Sequence, residues 1–198
     1  LDKKVGIDLF DDYFSDPTLT VFRRQHDWLK LASNLCDFLI CSTDRMKQVA
    51  LQFLDRRCVH KINDTTDPQV SINQTQDLLE SKDVRKKSRY PLRVAWFGMG
   101  DNPYFDVGLH DLYTYSNSLS ALTKQYPYLE FSILTNERSL ITDNLSKISR
   151  LPVEPTLKIW TEDYEKDLLR ESDIILMPVS NQNFSIAKSP NRCLTALS

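Results

Sequence analysis

At 198 residues with 41% hydrophobic content, the chain is long enough for one large or two small domains and can bury a sizeable core. Its 25 Lys plus Arg against 27 Asp plus Glu leave a net charge of -2, which gives no electrostatic ground for nucleic acid as a partner. No apolar stretch approaches the ~20 residues needed to cross a bilayer and the N-terminus has no signal-peptide pattern, so no transmembrane segment and a cytoplasmic location are expected.

Val5-Gly-Ile-Asp-Leu9 reads as a strand that runs into Asp8, Asp11 and Asp12. Hard carboxylate oxygens suit Mg²⁺, but such residues more often cap a strand end or the next helix. Asp16-Pro17 predicts an N-cap and a first helical position for a helix running through Trp28 and Leu31 to about Asn34. Cys36 to Cys41 is the next strand. Ser42 or Thr43 then caps a helix whose Met46, Val49, Ala50, Phe53 and Leu54 share a face, and Cys58 to Ile62 makes a third strand. The order β-α-β-α-β calls for parallel strands with right-handed crossovers. Cys36, Cys41, Cys58 and Cys193 show no Cys-x-x-Cys spacing, and reduced, buried thiols fit them best. Sequons at Asn63, Asn73, Asn144 and Asn183 carry no weight without a sign of secretion.

Residues 64–90 are polar, with a basic Arg85-Lys86-Lys87 cluster and room for a short helix near Asp77 to Ser81. They read as a connection between two domains, 1–63 and 91–198, with the basic cluster either solvated or anion-binding. Leu92-Arg-Val-Ala-Trp-Phe97 follows as a buried parallel strand. Three of the chain's four glycines, Gly98, Gly100 and Gly108, come directly after it. Leu112, Tyr115, Leu119, Leu122 and Tyr126 then recur at helical spacing and predict one long helix. Such a β-loop-α unit suits a phosphate at the helix start, or is simply a glycine-bearing turn that binds nothing.

Leu129 to Leu134 is the next strand. Ile141, Leu145 and Ile148 mark a helix ending before Pro152, and Leu157 to Trp160 is a strand. Thr161 caps an acidic helix over 162–171, and Asp173 to Val179 is the last strand. The fold class is therefore α/β, with two Rossmann-like parallel-sheet units. Loops after Phe97, Leu134, Trp160 and Val179 should line one crevice at the carboxyl ends of the second sheet. Asn183 to Ser198 reads as a loop feeding a helix, with Ser189 as N-cap and Pro190 at its first position. Lys188, Ser189, Asn191 and Arg192 gather round that helix start and suit a diphosphate; alternatively, Lys188 and Arg192 are surface charges beside an ordinary cap. Trp160 suits stacking on a base or a place in the core.

This order of features resembles a nucleotide-sugar glycosyltransferase with the two-domain B-type fold, in particular the retaining, glycogen-synthase-like group. Asp8-Leu-Phe-Asp-Asp-Tyr-Phe14 and Cys36-Asp-Phe-Leu-Ile-Cys-Ser42 resemble the last strands of that fold's acceptor domain. Arg93-Val-Ala-Trp-Phe-Gly98 resembles the first strand and glycine turn of its donor domain. Ser172-Asp-Ile-Ile-Leu-Met-Pro-Val-Ser180 and Lys188-Ser-Pro-Asn-Arg192 resemble the segments that hold the nucleotide sugar. The resemblance implies the end of an acceptor domain over 1–63 and most of a donor-nucleotide-binding domain over 91–198, the whole being part of a longer enzyme.

It further implies transfer of a sugar from a nucleotide diphosphate-sugar donor to a glycan, lipid or protein acceptor, without a metal or other cofactor. Donor-binding residues would be Gly98, Gly100, Arg138, Thr161, Lys188, Ser189, Asn191 and Arg192, with no catalytic residue identified. Two departures stand out. Gly98-Met-Gly-Asp-Asn-Pro103 lacks the Arg and Lys that many members carry there, and Ala187 and Thr195 occupy the positions of a usual glutamate pair. These departures keep open a non-catalytic nucleotide- or ligand-binding α/β module and an interaction scaffold.

Overall fold

The computed structural model describes residues 3–64 and 91–197, so the expected short helix near Asp77 and the Arg85-Lys86-Lys87 cluster lie outside the described residues. The chain divides into two units: Leu1–Thr66 with Ser180–Asn191, and Asp67–Val179 with Arg192–Ser198.

In the first unit, β1 (Gly6–Leu9), β2 (Phe38–Cys41) and β3 (Val59–Lys61) form a parallel sheet in the order β1-β2-β3. Leu39 and Cys41 of the middle strand are fully buried and pack with Leu9, Met46, Ala50 and Val59. Cys41 is a free thiol whose pKa burial pushes up, whereas Cys193 is exposed.

Helix α1 (Thr20–Ser33) starts later than Asp16-Pro17 implied. The Thr18 amide and hydroxyl both donate to Asp16, which closes a separate turn, and Leu19 becomes an N-cap with no side-chain bond. Leu29 packs in the sheet's core and Phe22 is buried against the Tyr13 ring, while Trp28 and Leu31 are exposed. Between the two candidate caps of α2 (Asp44–Ala50), Thr43 holds the position, its Oγ1 accepting the Met46 N–H at 3.1 Å. That hydroxyl also donates to the Ala187 carbonyl at 2.7 Å. Thr43→Ala removes the cap and leaves this carbonyl without its donor, so a loss of about 1–2 kcal/mol is expected, read from the urea midpoint. Phe53 and Leu54 lie beyond the helix in a turn but still pack against this core.

In the second unit, β4 (Arg93–Gly98), β5 (Glu130–Thr135), β6 (Pro155–Ile159) and β7 (Ile174–Ile175) pair in parallel in the order β6-β5-β4-β7. Strand β4 is buried on both faces because alternate residues feed different cores. Val94 and Trp96 pack with Leu109, Leu112, Leu119 and Ile148, while Ala95 and Phe97 pack with Leu168 and Ala196. Strand β7 is shorter than expected. Its last backbone bond to β4 runs from the Leu176 N–H to the Ala95 carbonyl, and Pro178 has no N–H with which to continue.

The long helix expected after the glycines is two helices, α3 (Leu109–Thr114) and α4 (Ser116–Gln125), which meet at Tyr115 with ψ near 7°. The Thr114 hydroxyl bonds back to the Asp111 carbonyl, and Ser116-Asn117-Ser118 is a poor continuation. Tyr115 and Tyr126 are accordingly exposed, not on the packing face. Helix α5 (Thr142–Ile148) covers the same side of the sheet as α3 and α4. Helix α6 (Glu162–Glu171) covers the other. After β7, a short α7 (Asn183–Ala187), which the sequence pattern did not reveal, groups with the first unit and buries Ala187 in its core. Helix α8 (Asn191–Leu197) returns to the second sheet through Ala196. No helix among the described residues is long and apolar enough to cross a membrane.

Candidate functional site

In an open α/β sheet, a ligand crevice forms beyond the carboxyl ends of the strands where the strand order reverses. In the second sheet that point lies between β4 and β7, because β4 continues to β5 on one side and takes β7 on the other. Arg192 occupies it. The Nη1 group donates to the Phe97 carbonyl at 3.1 Å, at the end of β4, and lies over Gly98. A Cβ on Gly98 would stand 2.5 Å from Nη1, and the backbone there has a φ of +146°. Burial pulls the Arg192 pKa down, and the nearby Asp111 carboxylate opposes it. A guanidinium stays protonated through such a shift, so a fixed cation sits at the strand end.

The loop after Gly98 is held by side chains of the next strand's loop. Thr135 Oγ1 donates to the Gly98 carbonyl at 2.8 Å, and the Gly100 N–H donates to Asn136 Oδ1 and Ser139 Oγ at 3.1 and 3.0 Å. There is no room for a side chain on Gly100, whose Cβ would come within 2.6 Å of the Ser139 Cβ. Gly108 has φ +75° and donates its N–H to the buried Asp111 carboxylate, which closes the start of α3. The Gly100 amide is thus committed within the loop.

Asp101 follows. Its Oδ1 accepts the Ser139 hydroxyl at 2.7 Å and faces Arg138 Nη2 at 3.5 Å. Partial burial opposes ionisation, but these partners outweigh it and hold the carboxyl below its usual pKa. A carboxyl depressed in the folded state contributes stability that is present above its unfolded pKa and lost as pH falls through the folded value. Asp101→Asn should therefore remove part of the acid-induced loss of stability below about pH 4, as read from urea midpoints across pH.

Arg138 itself is largely exposed and paired with Asp101. Thr161 caps α6, its Oγ1 accepting the Tyr164 N–H at 3.1 Å. Beside it, Trp160 is half exposed at the end of β6, and its indole N–H donates to Glu165 at 2.6 Å. Gly98, Gly100, Arg138, Thr161 and Arg192 therefore belong to the second unit. Lys188, Ser189 and Asn191 group with the first. There the Lys188 ammonium sits 4.4 Å from the Phe184 ring centroid and the Ser189 hydroxyl bonds Asp64. Helix α8 begins at Asn191, one residue after the expected first position at Pro190. Near the first strand end, Asp12 is a turn anchor that accepts the Ser15 amide and hydroxyl. The sequence reasoning missed Asp111 and Ser139; a carboxylate three residues after a glycine was the available signal for Asp111.

No family model matches the sequence, and no curated protein does. Solved structures do. A point mutant of S. aureus TarM, in complex with fondaparinux, α-GlcNAc-glycerol and UDP, superposes with a TM-score of 0.56 at 12% identity, over 86% of this chain and 31% of that one. HepE of Anabaena in complex with UDP-glucose gives 0.55 at 17% identity, over 87% of this chain and 46% of that one. The chain's two parallel-sheet units have the fold of part of a B-type glycosyltransferase. A UDP-forming α,α-trehalose-phosphate synthase of Burkholderia xenovorans superposes with a TM-score of 0.50 at 12% identity, over 94% of this chain and 45% of that one. The chain thus spans between about a third and a half of the length of these B-type structures.

Proposed function

We propose that this chain supplies the donor side of a nucleotide-sugar glycosyltransferase, with the diphosphate received at the carboxyl end of β4. The single observation that supports this most is the position of Arg192, a largely desolvated guanidinium at the reversal point of the sheet. The B-type fold adds to it, since TarM and HepE are described with UDP and UDP-glucose. In sugar transfer the bond from the anomeric carbon to the diphosphate oxygen breaks, the oxygen keeps the electron pair, and an acceptor hydroxyl replaces it as its proton leaves. A guanidinium fixed beforehand beside the leaving oxygens stabilises the charge that develops there. Gly98, Thr161 and Arg138 would border the same donor, and Trp160 offers an exposed ring to a base. Over its length the chain reads as the end of an acceptor domain followed by a donor domain, with a glycan, lipid or protein acceptor bound by the longer protein.

A specific observation favours a second reading, a nucleotide-binding module without catalysis. The glycine loop presents the Asp101 carboxylate where many members of the resembled glycosyltransferase group carry a cation, and its Gly100 amide is already bonded. Calorimetric titration with UDP, GDP and their sugars tests binding, with Lys188→Ala run beside Arg192→Ala. Turnover in the full-length protein separates the two readings: diphosphate binding with sugar transfer supports the enzyme, binding without transfer supports the module, and no binding removes both.

A further inference from the structure

Strand β4 ends in a residue with no side chain, and the space this leaves is filled by a guanidinium from a helix almost a hundred positions later in the chain. We propose that Gly98 and Arg192 form one device, in which the bare face of Gly98 is the seat of the Arg192 guanidinium and Gly98 acts as a positioning residue for that cation instead of a ligand of the diphosphate. This rests on the donor-site reading for its purpose, but the seat itself is testable without any donor.

Four observations carry it. The Arg192 side chain covers the Cα of Gly98 on the side a Cβ would take, with Nη1 at 2.5 Å and both Cδ and Cζ at 3.4 Å from that point. Nη1 is tied to the carbonyl of the preceding residue, Phe97, which fixes the plane of the guanidinium relative to the strand end. Ala196 on the same helix is packed against Ala95, Phe97 and Leu134, so the base of the arginine is anchored as well as its tip. Asp111, buried on the first turn of α3, adds an opposing charge to the guanidinium and is itself tied to the glycine loop through the Gly108 N–H. Any side chain at 98 must evict the guanidinium, whatever the ligand.

The test is a double-mutant cycle on urea unfolding with Gly98→Ala, Arg192→Ala and the double variant. The positive φ strains an alanine at 98 in both backgrounds, so the cycle cancels that cost and leaves the eviction. A Gly98→Ala penalty about tenfold smaller in the unfolding equilibrium constant when Arg192 is absent is expected; equal penalties overturn the seat. A second measurement avoids the folding of any Gly98 variant. In the unaltered protein, side-chain NMR of Arg192, assigned by loss of its signal in Arg192→Lys, should show guanidinium protons slowed in exchange by the Phe97 carbonyl. Fully exchanging protons contradict the proposal.

Titration with UDP gives the third arm. Gly98→Ala should weaken UDP binding in the Arg192 background and produce no further loss once Arg192 is alanine. A further, equal loss would assign Gly98 a contact of its own with the diphosphate and overturn its role as a seat. Failure of the unaltered chain to bind UDP removes the donor-site reading, and the unfolding cycle still decides the seat.

Discussion

Arg192→Ala is expected to weaken UDP binding about 10- to 100-fold. Charge-assisted hydrogen bonds contribute about 1.5–3 kcal/mol, and each 1.4 kcal/mol is a factor of ten in affinity. Arg192→Lys should recover only part of the loss, because an ammonium cannot bond the Phe97 carbonyl and grip two phosphate oxygens in one plane. The effect should shrink for UMP, which lacks the second phosphate, and should fall as salt is raised in the unaltered protein more than in the variant. Calorimetry on the chain and its two variants measures all of this, and equal affinities would show that the guanidinium does not meet the nucleotide.

The second large effect is expected from Trp96→Ala. Trp96 is 1% exposed in the middle of β4, and it packs with Leu109, Leu112, Leu119 and Ile133, so that its removal leaves a cavity between the sheet and its covering helices. Truncations of this kind cost about 3–5 kcal/mol, a large share of the 5–15 kcal/mol that holds a typical domain. Trp28 and Trp160 are each about half exposed. The blue-shifted part of the tryptophan emission should therefore vanish with Trp96, and the urea transition of the second unit should move to much lower denaturant. A cost under about 1 kcal/mol would mean that the strand is not the centre of that core.

The strands were legible where burial on both faces writes an apolar run: Arg93 to Gly98 and Glu130 to Thr135 differ from expectation only at their ends. The parallel order followed from alternation with helices, and both sheets are parallel as expected. What failed were choices made by local hydrogen bonds. Asp16 closed a turn in place of starting a helix, Thr114 and the serines after it divided α3 from α4, and Pro178 ended β7 early. Helix α7 was hidden because Asn183-Phe-Ser-Ile-Ala187 has weak helical propensity and owes its place to the burial of Phe184 and Ala187.

In the site, the position of Arg192 beside a glycine turn was suggested by chain order. Nothing local could show that Gly98 lacks a side chain on account of a residue so far away, or that Asn136 and Ser139 would claim the Gly100 amide. Lys188, Ser189 and Asn191 were read with Arg192 as one group from their closeness in sequence, yet contacts divide that group between the two units.

The most direct measurement of the central claim is a crystal structure of the chain soaked with UDP. Diphosphate oxygens are expected within hydrogen-bond distance of the Arg192 guanidinium, beyond the carboxyl ends of β4 and β7. UDP bound at the opposite end of the sheet, around Arg93 and Glu171, would contradict it.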